Sequence, residues 1–174
     1  MAHPRRSRPT VGSGTLSRTR TEIEPPPLDR PALFDTGVWT WARDRRFPQL
    51  TSWFNDQVAA GRVLVCDLVI LELTRLTPNE TRAKEVADTL ATFESLPMPT
   101  ALWSRARHMQ VLLAAKGDHR RVPPADLLIG CAAEAAQVPL VHYDRDYERI
   151  AGVSALAHCW LMPDGALAQN FSPP

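Results

Sequence analysis

The 174-residue chain, 44% hydrophobic, is long enough for one domain with a sizeable core, and its net charge of +1 provides no overall basic field of the kind that alone indicates a nucleic-acid binder. The near-neutral total hides a split, because six arginines in residues 1–30 face only Glu22, Glu24 and Asp29, a surplus of +3 that leaves −2 for the remainder. Cys66, Cys131 and Cys159 are odd in number, widely spaced and set among apolar residues, so they read as reduced thiols of a cytoplasmic protein; the apolar run from Val63 to Leu73 is broken by Asp67 and Glu72, and neither a membrane span nor the apolar core of a secretory signal is present.

Taken in order, residues 1–30 are rich in Arg, Pro, Ser and Thr and lack hydrophobic periodicity, which predicts a disordered leader. It is either an arginine-rich arm that touches RNA or a partner, or a dispensable extension. An ordered domain is expected over residues 31–163, followed by a frayed tail at 164–174. Its first strand is Ala32, Leu33 and Phe34, ending on Asp35, with Thr36 and Gly37 next. Asp35 is read both as the N-cap of a helix from Val38 and as a carboxylate at a sheet edge. After a basic loop at Arg43, Arg45 and Arg46, a helix is predicted from Pro48 to Ala60, with Leu50, Trp53, Phe54, Gln57 and Val58 as its buried stripe.

Gly61 and Arg62 end that helix, Val63 to Cys66 make a second strand, and Asp67 is expected to cap a helix over Leu68 to Thr77. On that helix Glu72 falls between Leu68 and Leu76 on the apolar stripe, where a charge is costly unless paired or coordinating. A Glu reaching solvent or pairing with Arg75 is the plainer alternative. A turn at Pro78 to Glu80 precedes a helix with Ala83, Val86, Ala87, Leu90 and Phe93 as its apolar face, and LPMP at 96–99 reads as a connector. A further helix is predicted from Thr100 to Lys116, with Leu102, Ala106, Met109, Leu113 and Ala114 as core and Arg105 and Arg107 outside. The loop DHRRVPP at 118–124 follows.

The segment from Pro123 to Ile150 organises the rest. Asp126 lies in the first helical turn, where proline is tolerated and the macrodipole favours negative charge. Leu128, Ile129, Ala132, Ala133 and Ala136 give that helix an apolar face of mostly small residues, suited to close packing on a sheet. Leu140 and Val141 form a short strand that delivers Asp144 and Asp146 to the sheet's carboxyl edge. Residues 156–162 add a last strand. Strands alternating with helices throughout predict an α/β fold with a mainly parallel sheet.

Asp35, Glu72, Asp126, Asp144 and Asp146 come from separate segments, yet strand-end and helix-face arguments aim them all at one cleft. Such a set repels itself, and a hard divalent cation with oxygen ligands, Mg²⁺ or Mn²⁺, relieves it. A cation there would activate water and neutralise a phosphodiester oxygen, so the implied reaction is phosphodiester hydrolysis. Arg120 and Arg121, Thr36 beside Asp35, and Arg43 to Arg46 are the candidates for holding substrate phosphates.

FDTGVW at 34–39, LELTRL at 71–76, PPADLLIGCAA at 123–133 and PLVHYDRDYERIA at 139–151 resemble the successive acidic motifs of PIN-domain ribonucleases, especially VapC toxins of bacterial toxin–antitoxin pairs. The resemblance spans about residues 31–163. It implies a three-layer α/β/α sandwich, Mg²⁺- or Mn²⁺-dependent cleavage of RNA, homodimerisation, and a cognate antitoxin occupying the cleft. By motif, Asp35, Glu72 and Asp126 would bind metal or orient the attacking water, with Asp144, Asp146 or both completing the set. Two positions depart from the pattern: His142 stands where the family usually has Thr, and Tyr147 where it has Phe, the latter reading as a mild change. A second reading is an inactive module of the same fold that docks a partner protein.

Overall fold

The alternation of short apolar runs with helical stripes produces one parallel sheet in the computed structural model, which describes residues 24–167. The strands are β1 (Ala32–Phe34), β2 (Val63–Cys66), β3 (Glu94–Leu96), β4 (Leu140–His142) and β5 (His158–Trp160), arranged β3-β2-β1-β4-β5 with every pairing parallel. The helices are α1 (Thr36–Trp41), α2 (Pro48–Ala59), α3 (Asp67–Arg75), α4 (Glu80–Leu90), α5 (Ala101–Ala115), α6 (Pro124–Ala136) and α7 (Asp146–Ala151). Every residue of β1, β2 and β4 is buried. Strands this apolar need cover on both faces, which gives the three-layer α/β/α sandwich.

Helix α6 makes the central packing contact, with every residue from Leu127 to Ala133 buried. Gly130 permits this approach, since a Cβ there would lie 3.2 Å from Ile150 Cγ2. Aromatic rings fill the core beside β1: Phe34 stacks on Trp53 at 5.5 Å between centroids, and Phe54 meets Trp39 edge-on at 4.9 Å. Among the described residues no helix is long and apolar enough to cross a membrane.

Several sequence expectations need correction. The sequence expectation has no strand at 94–96 and a connector at 96–99, whereas Glu94, Ser95 and Leu96 pair with β2 as an edge strand; only Leu96 is buried, so one-sided cover left little hydrophobic signal. Val58 is 37% exposed, beyond the edge of the α2 stripe. Cys66, not Asp67, is the N-cap of α3, and Asp67 lies in the first turn. Leu76 is 61% exposed while Val69 and Leu73 are buried, so Glu72 sits at the margin of the apolar stripe and not within it. Ala114 and Ala136 are likewise exposed.

Contacts also extend past both expected domain limits. Trp53 Nε1 donates to the Pro26 carbonyl at 3.0 Å and Leu28 packs against the core, upstream of Pro31. Beyond residue 163, Leu167 is buried and its N–H donates to Tyr143 Oη at 2.9 Å. In each case one apolar side chain gains enough burial to anchor an irregular segment. The rest of the leader and tail expectations, at 1–23 and 168–174, lie outside the described residues.

Candidate metal centre

The strand order reverses direction between β1 and β4, because the chain leaves β1 towards β2 on one side and reaches β4 on the other. Loops leaving two such strands diverge and open a crevice at their carboxyl ends. Asp35 follows β1 and Asp144 follows β4, so topology alone brings both to that crevice. The Asp35 N–H extends the ladder by donating to the Val141 carbonyl at 3.0 Å.

Asp35 is 8% exposed and is the N-cap of α1, its Oδ2 accepting from the Gly37 N–H at 3.1 Å. Its Oδ1 accepts from Tyr147 Oη at 2.6 Å. Burial raises the Asp35 pKa, and these two donors oppose the rise. Glu72 reaches the same place from α3, its Oε2 accepting from Thr36 Oγ1 at 2.5 Å. Thr36, a substrate-binding candidate by sequence, thus has its hydroxyl engaged with Glu72, and Glu72 is partnered by Thr36 and not by Arg75.

Asp126 stands in the first turn of α6, and one oxygen from each of Asp126, Asp144 and Asp146 lies within 4.8 Å of the others. Burial, then the charges of Asp35, Asp144, Glu72 and Asp146, push the Asp126 carboxyl up to about 8. The helix N-terminus favours a carboxylate, so burial and four like charges override it here. Asp144 Oδ1 accepts from the Asp146 N–H at 2.9 Å. Asp146 is shared with a cation of the chain itself: Arg149 Nη1 donates to its Oδ1 at 2.5 Å. Burial and Asp144 raise the Asp146 pKa, with Arg149 acting against them.

Arg149 Nε also lies 3.6 Å from Asp118, and Arg121 lies 3.6 Å from that same carboxylate. Arg121 is therefore linked to the rim of the crevice through Asp118, while Arg120 is exposed beside it. His142 is fully buried, which removes it from any direct phosphate contact. The Asp144 N–H donates to its Nδ1 at 3.2 Å, so the ring proton resides on Nε2, which donates to His158 Nδ1 at 2.8 Å. Burial and His158 lower the His142 pKa to about 3, keeping the ring neutral.

Sequence reasoning picked out the five carboxylates but missed two partners. Arg149 carried a signal in its i+3 spacing from Asp146 on α7. Tyr147 carried none, because its acceptor is 112 residues away. The carboxylates fit a hard divalent cation: an all-oxygen donor set, partly buried, in which one member has its proton affinity raised by its neighbours.

Comparison with known proteins agrees in fold and family. The family model described as PIN domain matches residues 32–153. The Mycobacterium tuberculosis protein named ribonuclease VapC18 is 31% identical over 135 residues, covering 76% of this chain and 96% of that one. Among solved structures, the DNA-bound VapBC of Salmonella typhimurium superposes with a TM-score of 0.61 at 20% identity, covering 76% of this chain and 98% of that one. VapBC-1 of nontypeable Haemophilus influenzae gives 0.60 at 15% identity, with 75% and 97% covered.

Proposed function

The chain belongs to the PIN-domain family, and from that premise we propose that it is a divalent-metal-dependent endoribonuclease, the toxin of a toxin–antitoxin pair. One observation carries the reading. Three carboxylates converge within 4.8 Å, and two more raise the proton affinity of Asp126. Left alone, such a cluster takes up protons; a cation in its place keeps the set ionised.

Asp35, Asp126, Asp144 and Asp146 are the oxygen donors that would hold Mg²⁺ or Mn²⁺. When bound, the ion supplies positive charge that neutralises the phosphodiester and makes water a competent nucleophile at neutral pH. Glu72, steadied by the Thr36 hydroxyl, is the residue that would orient an attacking water and take up its proton. Asp146 has one oxygen held by Arg149, whereas Asp144 Oδ1 takes only a backbone N–H, so Asp144 is the principal donor of the last motif. Arg120 and Arg121 at the rim contact the phosphates of the incoming strand.

The partners in this reading are an RNA substrate, a cognate antitoxin that covers the crevice, and a second copy of the chain. Exposed Leu71 on α3, Leu76 at its C-cap, and Trp103 and Val111 on α5 are apolar side chains available for the protein contacts. The reduced thiols fit a cytoplasmic site of action.

The direct test is Asp126→Asn, assayed beside wild type on RNA, single-stranded DNA and a small phosphate ester with Mg²⁺ or Mn²⁺. RNA cleavage is expected for wild type and lost in the variant, with an unchanged circular dichroism spectrum. Undiminished RNA cleavage by the variant overturns the assignment of the site.

A further inference from the structure

We propose that Tyr147 is a positioning residue that locks the Asp35 carboxylate in the orientation a divalent cation requires. The inference rests on the metal-dependent reading above and adds a residue to it. Tyr147 is 1% exposed, and its hydroxyl donates to Asp35 Oδ1 at 2.6 Å while the Gly37 N–H takes Oδ2 at 3.1 Å. Each carboxylate oxygen thus has a donor from a different segment of the chain, and the Thr36 N–H adds to the backbone side. Donors from both segments restrict rotation of the carboxylate, whose roughly four lone-pair sites leave capacity for a cation.

The same bond fixes more than one carboxylate. Tyr147 is the residue after Asp146 and three after Asp144, in the first turn of α7. Its hydroxyl therefore ties the segment bearing those acids to the end of β1. The ring is held in turn by His142, 5.1 Å away between centroids, whose Nδ1 accepts the Asp144 N–H. One buried phenol sets the spacing between the β1 carboxylate and the β4 carboxylates across the switch point. Groups that hold metal ligands from behind contribute to affinity because they remove the freedom a ligand would otherwise lose on binding.

The test uses the full chain with Mn²⁺ and Mg²⁺ as probes. Tyr147→Phe retains the ring and removes only the donor. By calorimetric titration it is expected to bind Mn²⁺ on the order of 10-fold more weakly than wild type. The Mn²⁺ concentration for half-maximal cleavage should rise in step, with kcat at saturating Mn²⁺ within about threefold of wild type. Wild-type Mn²⁺ affinity in this variant, whatever its melting temperature, would mean the phenol only satisfies a buried carboxylate, and the proposal falls.

Asp126→Asn run alongside separates the two readings: loss of Mn²⁺ binding there supports the metal centre whether or not Tyr147 matters, and full retention sinks both. A measurement without substitution at Tyr147 guards against misfolding. The chain has two tyrosines, so in protein labelled with 3-fluorotyrosine, with Tyr143→Phe to assign the spectrum, the Tyr147 fluorine resonance should move on Mg²⁺ addition. A resonance that stays still at saturating Mg²⁺ also overturns the proposal.

Discussion

Helix α6 carries two carboxylates eight residues apart that the fold treats in opposite ways. Asp126, at the end where a helix favours negative charge, is pushed up to about 8 by burial and four neighbouring acids. Glu134, near the end where a helix disfavours it, is held below its ordinary value by Arg105. That guanidinium donates to both Glu134 oxygens, at 2.8 and 2.7 Å, and the Ala155 N–H adds a third bond at 2.8 Å. Glu134 is a structural acid, saturated by the chain's own donors. Asp126 is left with like charges, an arrangement that disfavours the metal-free fold and makes sense when a ligand supplies the missing positive charge.

The contrast predicts that the two carboxylates fail differently when removed. The largest effect is expected at Asp126: Asp126→Asn should lower RNA cleavage by about 10²-fold or more, while metal-free melting holds at neutral pH and rises at alkaline pH, where an ionised Asp126 would repel its neighbours. A fall in melting temperature matching the lost activity would break the comparison.

The second prediction concerns pH. A carboxyl group with a raised folded-state pKa binds its proton more tightly when folded. Its contribution to stability is therefore lost as pH rises from its unfolded value of 3.8 through about 8. In EDTA, melting temperature should fall over that window, and Mg²⁺ should restore it most strongly at the alkaline end. Thermal scans at several pH values, with and without Mg²⁺, check both signs; stability rising towards pH 8 in EDTA would contradict the assignment.

At the structural end, Glu134→Ala should cost about 1–3 kcal/mol of stability by urea titration, because it strands Arg105 and the Ala155 N–H, and should leave cleavage rates unchanged. The opposite pH sign applies to Glu134, whose stabilising interactions are lost as pH falls through its lowered pKa. The smallest effect belongs to the exposed Arg82–Glu85 pair on α4, 62% and 56% exposed: Arg82→Ala should change stability by less than about 0.5 kcal/mol. A larger loss would mean that exposed pairs hold this fold in a way the α6 comparison does not allow for.

Much of the architecture was legible in the chain. Short, mostly apolar runs of three or four residues mark β1, β2 and β4, and Pro123–Pro124 followed by small apolar residues marks α6, because these elements are buried on both sides and their hydrophobic signal is undiluted. Edge features were not. β3 is Glu-Ser-Leu with one buried residue, and the anchoring of Leu28 and Leu167 depends on single contacts with no period to read. For the site, residue type and position at strand or helix ends pointed to Asp35, Asp126, Asp144 and Asp146, and Glu72 was singled out by its place on a helix face. Their partners were hidden, since nothing local links Tyr147 to Asp35 or Thr36 to Glu72.

By itself the sequence determined the buried strands and the helices and which acids would stand at their ends, since both follow from hydrophobic period and local capping preference. Tertiary structure alone decided which of those acids stay unneutralised. Reversal of strand order between β1 and β4 collects carboxylates from four segments in one crevice, and the through-space placement of Tyr147, Arg149 and Arg105 determines which are answered by a donor from the chain. Charge interactions depend on distance and burial in space, and neither is encoded by separation along the polypeptide.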